Sequence, residues 1–196
     1  MYRTAFDEYG ELFLKQGREH FIKKCAILCV IKLKFRSSGR KKVIRFKNFG
    51  RKGKHAEEIA IRRIENEENG GEWTATRVEM YISFSPCNNC CERIADFIAK
   101  HPGCCVRIAF SCLYRYTEEI HCEALRKLKL NQEITRLDVF KAADWRLLRF
   151  RGHLHLSPYA RENMNRWDGI WRDRLTAILN PMLPEDSDIH HEDNLI

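Results

Sequence analysis

The hydrophobic positions of this chain change their period repeatedly, and each change marks an element. Two apolar runs, CAILCVIKLKF from Cys25 to Phe35 and KKVIRFKNF from Lys41 to Phe49, flank Ser37-Ser38-Gly39 and predict a β-hairpin. The period then lengthens: Glu57, Ile59, Ala60, Ile61 and Ile64 lie in a helix-forming stretch that stops before Gly70-Gly71. The run VEMYIS from Val78 to Ser83 predicts another strand, halted by Pro86, where a helix starts and continues to about Ala99. Beyond the break at His101-Pro102-Gly103 follow a strand from Cys104 to Ser111, a helix from Glu118 to Leu128 and a strand from Glu133 to Phe140. A helix from Ala142 to Phe150 and an amphipathic helix from about Arg161 to Leu179 complete the order, and an opening helix is expected around Ala5 to Lys15. Helix and strand in that alternation predict an α/β fold, with a mixed five-stranded sheet covered on both faces by about six helices.

Composition adds bounds. A chain of 196 residues with 44% hydrophobic content fits one domain with a sizeable core, expected over residues 1–184. Residues 185–196 carry five acidic side chains and no Lys or Arg, which predicts a flexible acidic tail. No stretch is apolar enough to cross a membrane, and MYRTAFDEYGELFLKQG lacks the apolar core of a secretory signal. Nine cysteines form an odd set, and Cys25, Cys29, Cys104, Cys105 and Cys112 lie in apolar runs. Reduced thiols in an intracellular setting, nucleus or cytoplasm, are the expectation.

Charge is uneven. Residues 1–54 contain sixteen Lys or Arg against four Asp or Glu, although the whole chain is only +8. Lys32 to Lys54 has eleven basic residues and no acid, and it leads directly into His55. A solvated hairpin face is the plain reading of such a run. Its place beside His55 favours a polyanion, with nucleic acid the natural candidate.

The candidate chemistry lies in two short motifs. His55-Ala56-Glu57 opens one helix, and Pro86-Cys87-Asn88-Asn89-Cys90 opens another, with Cys87 and Cys90 at i and i+3 on one face. Alone, the Cys-x-x-Cys could be a redox pair or two buried thiols, and the histidine a surface residue. Together they supply three zinc ligands and one unligated carboxylate, whereas structural zinc usually takes four protein ligands. Cys91 would point about 100° away around the helix and reads as a core thiol.

On these residues the chain resembles the AID/APOBEC family of zinc-dependent polynucleotide cytidine deaminases. The resemblance extends to Ser83-Phe84-Ser85 before the cysteines, Arg107-Ile108-Ala109 leading to Leu113-Tyr114-Arg115-Tyr116, and Arg172-Asp173-Arg174-Leu175. It implies a cytidine-deaminase-like three-layer α/β/α fold and one Zn²⁺ per chain on His55, Cys87 and Cys90. It further implies Glu57 as the proton shuttle for hydrolysis of cytosine to uracil. By the same resemblance the Ala56 N–H meets the cytosine carbonyl and the Ser85 carbonyl meets the exocyclic amine. Tyr114 and Tyr116 belong to the loop that grips the target base and its 5′ neighbour, with packing against the sheet the plainer alternative. Arg115 stands between them, toward an acceptor on that neighbour or a phosphate. Phe84 occupies the place of the family's tryptophan, and Asn48 about that of an asparagine orienting the target sugar. Single-stranded DNA is the expected substrate and partner, RNA the first alternative. A zinc-stabilised nucleic-acid-binding protein without turnover is the second.

Overall fold

The computed structural model describes residues 27–35, 41–48, 55–66, 75–144 and 158–181. The helix expected over Ala5 to Lys15, most of that expected over Ala142 to Phe150, and the acidic tail lie outside the described residues; 142–144 form a single helical turn. In chain order the elements are β1 (Ile27–Phe35), β2 (Lys41–Asn48), α1 (Ala56–Asn66), β3 (Ala75–Phe84) and α2 (Asn88–Lys100). They continue with β4 (Cys105–Cys112), α3 (Glu119–Leu130), β5 (Ile134–Val139) and α4 (Pro158–Leu179). Pro158 opens the last helix at a position where its missing N–H costs nothing.

Five strands form one sheet in the order β2-β1-β3-β4-β5. The hairpin pairs β1 with β2 antiparallel, and β1 pairs antiparallel with β3. From β3 onward the sheet is parallel, since α2 and α3 serve as the crossovers to β4 and β5. The mixed five-stranded sheet expected from the sequence is therefore the observed one.

Side-chain alternation sorts the two faces. Val78, Met80 and Ile82 lie opposite Val106, Ile108 and Phe110, and the same face continues with Leu137 and Val139. These residues join Ala60 and Ile64 of α1, Ile94 and Phe97 of α2, Leu125 and Leu128 of α3, and Trp171 and Leu175 of α4 in one buried cluster. Each buried Val, Leu, Ile, Phe or Met side chain contributes about 1.5–3 kcal/mol by leaving water. The opposite face mixes the buried Tyr81 and Ala109 with ion pairs: Glu79 pairs with Arg107 at 3.3 Å, while Arg136 forks onto the buried Asp144. Burial alone would push the Asp144 carboxyl up, but the Arg136 guanidinium and the Lys141 N–H together hold it below its ordinary value.

Two boundaries differ from expectation where it matters. Cys87 lies not in the first turn of α2 but just before it, as the N-cap, with extended backbone at φ −76° and ψ 173°. His55 likewise precedes α1, and its carbonyl accepts the Ile59 N–H at 3.2 Å. Both donors thus sit at helix starts, where the side chain is aimed by the turn into the helix rather than by the helix surface.

Candidate active site

Helix α1 carries Glu57 inward. Glu57, Ala60, Ile61 and Ile64 are spaced as one helical stripe, and that stripe is the buried one. Glu57 is 5% exposed, so its carboxyl is withdrawn from water. Burial raises its pKa from 4.5 to about 7, opposed by a backbone hydrogen bond, and the neighbouring Cys87 sulfur pushes further in the same direction.

Strand β3 delivers the second half. Its last residue, Phe84, pairs with Cys112, and the Ser85 N–H then donates to the Cys112 carbonyl at 2.9 Å. The hydroxyl of Ser85 accepts the Tyr114 N–H at 2.9 Å. These bonds tie the ends of β3 and β4 together, so the Ser85-Pro86-Cys87 segment and the Tyr114 loop occupy one edge of the sheet. Phe84 is half-buried and packs on the core cluster, while Ala56 and Ser85 are buried.

His55, Cys87 and Cys90 meet there. The His55 Nδ1 lies 3.2 Å from the Cys90 Sγ and 3.3 Å from the Cys87 Sγ, and all three donor atoms fall within 4.8 Å of one another. A tetrahedral zinc with ordinary bond lengths needs edges of about 3.5 Å from nitrogen to sulfur and about 3.8 Å between sulfurs. The donor set fits that ion in spacing and in chemistry. The two thiols are driven apart in acidity: the neighbouring Cys90 thiol holds the Cys87 sulfur well below the ordinary thiol range, while the Cys87 sulfur together with burial raises Cys90. Glu57 is not one of the converging donors, although Cys87, Cys90 and His55 all act on its carboxyl. Cys91 points elsewhere, its Sγ against the Pro86 carbonyl at 3.8 Å and its pKa pushed up to about 12 by burial, as a core thiol should be. Among the described residues no other group of three or more His, Cys, Asp or Glu side chains is placed to hold a metal.

The loop after β4 splits its three predicted residues. Tyr114 is half-buried with its ring 5.3 Å from that of His121. Arg115 is exposed, with a left-handed φ of 41°, its guanidinium 5.5 Å from the Tyr114 ring and bonded to Glu118 at 3.1 Å. Tyr116 turns the other way, edge-on to Trp171 at 5.5 Å and under the Arg174 guanidinium at 4.5 Å. Its geometry is that of a packing residue between the loop and α4. Asn48 closes β2 opposite Ile27, and its side chain lies outside the described residues. Sequence reasoning passed over His121 and Glu118, which flank Tyr114 and Arg115; an isolated histidine in a helix carries no local signal.

A nitrogen and two sulfurs around a common point, with a buried acid alongside, define a class: α/β proteins with a donor set that could hold a metal ion. The chain belongs to the APOBEC3 family, whose cytosine deaminase domain matches residues 13–148, more than two thirds of the sequence. That family is zinc-dependent, acts on nucleic acids and deaminates cytosine. Among curated proteins none matches this chain.

Proposed function

We propose that this protein hydrolyses cytosine to uracil in single-stranded DNA, with His55, Cys87 and Cys90 as the zinc ligands and Glu57 as the proton-transfer residue. The observation that carries the reading is the convergence of three donor atoms within 4.8 Å beside a carboxylic acid that is 5% exposed. Bound there, zinc supplies Lewis acidity that makes water a competent nucleophile near neutral pH. The protein's own part is proton handling and orientation. In the reaction water adds at C4, the bond from C4 to the exocyclic nitrogen breaks, and ammonia leaves. Glu57 takes one proton from the water and gives it to N3 of the ring, then carries the proton of the added hydroxyl to the exocyclic nitrogen, so that the C4 carbonyl forms as ammonia leaves.

Base recognition draws on the same edge of the sheet. Following the family resemblance, the Ala56 N–H and the Ser85 carbonyl orient the ring, Phe84 lies beside it, and Asn48 orients the sugar. Tyr114 offers an aromatic face to an unpaired base, worth about 1–3 kcal/mol, which a base inside a duplex cannot use without unstacking. Arg115 extends that face toward the neighbouring base or phosphate. The basic run from Lys32 to Lys54 supports a polyanionic substrate. Seven cysteines among the described residues form no disulfide, which supports a reducing, intracellular setting.

The test scores uracil formation on matched single-stranded DNA and RNA oligonucleotides. Wild-type protein converts the DNA faster; faster conversion of RNA would transfer the proposal to transcripts. Glu57→Gln keeps its zinc and loses about 10²- to 10⁴-fold in rate. A zinc-loaded wild type with no conversion of either strand would leave a nucleic-acid-binding protein.

A further inference from the structure

We infer that His121 is a positioning residue, which locks the Tyr114 loop onto the metal-binding end of α2. The inference rests on the reading of Tyr114 as a base-stacking residue. The first N–H groups of a helix have no partner within the helix, and the side chain of the N-cap residue usually serves one of them. Helix α2 lacks that service, because its N-cap is Cys87, which makes no side-chain cap bond and directs its sulfur to His55 at 3.3 Å. The Asn88 N–H, the first of the helix and a donor that an N-cap side chain does not serve, donates to the Nδ1 of His121 at 3.2 Å, across from the first turn of α3. A histidine on one helix thus satisfies the leading N–H of the helix that carries the metal-site cysteines.

The other neighbours of the ring connect this cap to recognition. His121 is 7% exposed, and its other nitrogen, Nε2, lies 3.3 Å from the Glu118 Oε2. The partner oxygen of that carboxylate takes the Arg115 guanidinium at 3.1 Å. The ring itself stands 5.3 Å from Tyr114 at an interplanar angle of 59°. An imidazole that accepts at Nδ1 carries its proton on Nε2, the edge facing the carboxylate, so one neutral tautomer satisfies both sides. The metal-site helix, the aromatic platform and the Arg115 counterion therefore converge on a single side chain. Removing its polar edges leaves the Asn88 donor without its acceptor and frees Glu118 and Tyr114 to shift relative to Cys87.

The zinc-loaded full chain provides the test. The imidazole ¹⁵N spectrum of wild type shows a bare Nδ1 and a protonated Nε2 for His121; the opposite tautomer overturns the inference. His121→Phe keeps a ring beside Tyr114 without polar edges, and it weakens binding of a single-stranded oligonucleotide about fivefold, the scale of one hydrogen bond, with zinc content unchanged. His121→Asn puts an amide oxygen near the place of Nδ1 and returns the affinity to within about twofold of wild type. Undiminished binding by His121→Phe overturns the inference, as do equal losses in the two variants. Should His121→Phe fail to fold, the outcome rests on His121→Asn, where a loss of about fivefold is the adverse result. A wild type that shows the expected tautomer but binds no oligonucleotide supports the placement of His121 and removes the recognition reading of Tyr114.

Discussion

Glu57 enters the core on the stripe it shares with Ala60, Ile61 and Ile64, and its burial carries a thermodynamic cost that can be measured. In the zinc-free protein its pKa is about 7, against 4.5 for the ordinary carboxyl, so the folded state binds this proton more tightly than the unfolded state. Its contribution to stability is therefore complete below about pH 4.5 and is lost as the pH rises through about 7, by up to about 3 kcal/mol. Glu57→Gln is neutral throughout and removes that slope. Urea unfolding of both zinc-free proteins at about pH 5 and about pH 8 should show wild type losing about 2.5 kcal/mol more than the variant. At this scale the sequence was informative where chemistry demands a spacing: the convergence of His55, Cys87 and Cys90 was legible from two short motifs, and the burial of Glu57 from its place on the α1 stripe. Tyr116 was harder, since one more aromatic residue in a loop does not say whether it faces a ligand or Trp171. Nothing in the chain announced His121, whose importance comes from a backbone donor 33 residues away.

The helices hold these residues in place, and α2 does most for the site because both cysteines sit at its start. Ile94, fully buried on its core face, is the anchor. Ile94→Ala should cost about 2–5 kcal/mol in global stability, read by denaturant unfolding, whereas the exposed Glu92→Ala should stay within about 0.5 kcal/mol. On the far face of the sheet, Asp144→Ala leaves the Arg136 guanidinium without its forked partner in a half-buried setting, and a loss of about 3–5 kcal/mol is expected by the same unfolding measurement. Element type and order were readable throughout the described residues because the apolar periods are clear. Element ends were not. Strand β3 begins at Ala75, ahead of the expected Val78, since Thr76 and Arg77 are polar and signal nothing, yet Arg77 pairs with Lys34 and with Cys105. Such a start is set by neighbouring strands, which a local pattern does not contain.

For the molecule as a whole, +8 net charge gathered toward one end of the chain predicts association that weakens steeply with salt. Replacing Lys41, Lys42 and Arg45 of the edge strand β2 with Gln should lower the slope of log affinity against log salt by about 2, at about 0.7 for each phosphate no longer neutralised, as measured by fluorescence anisotropy on a single strand. An unchanged slope would move the binding surface off β2. Arg115 shows the competing demand. At φ 41° an L side chain strains its own backbone, by roughly 1–2 kcal/mol, and glycine would relieve it. Arg115→Gly should thus melt at a higher temperature than the natural protein while gripping its substrate less well: a sturdier molecule and a duller reader, with one torsion angle separating the two.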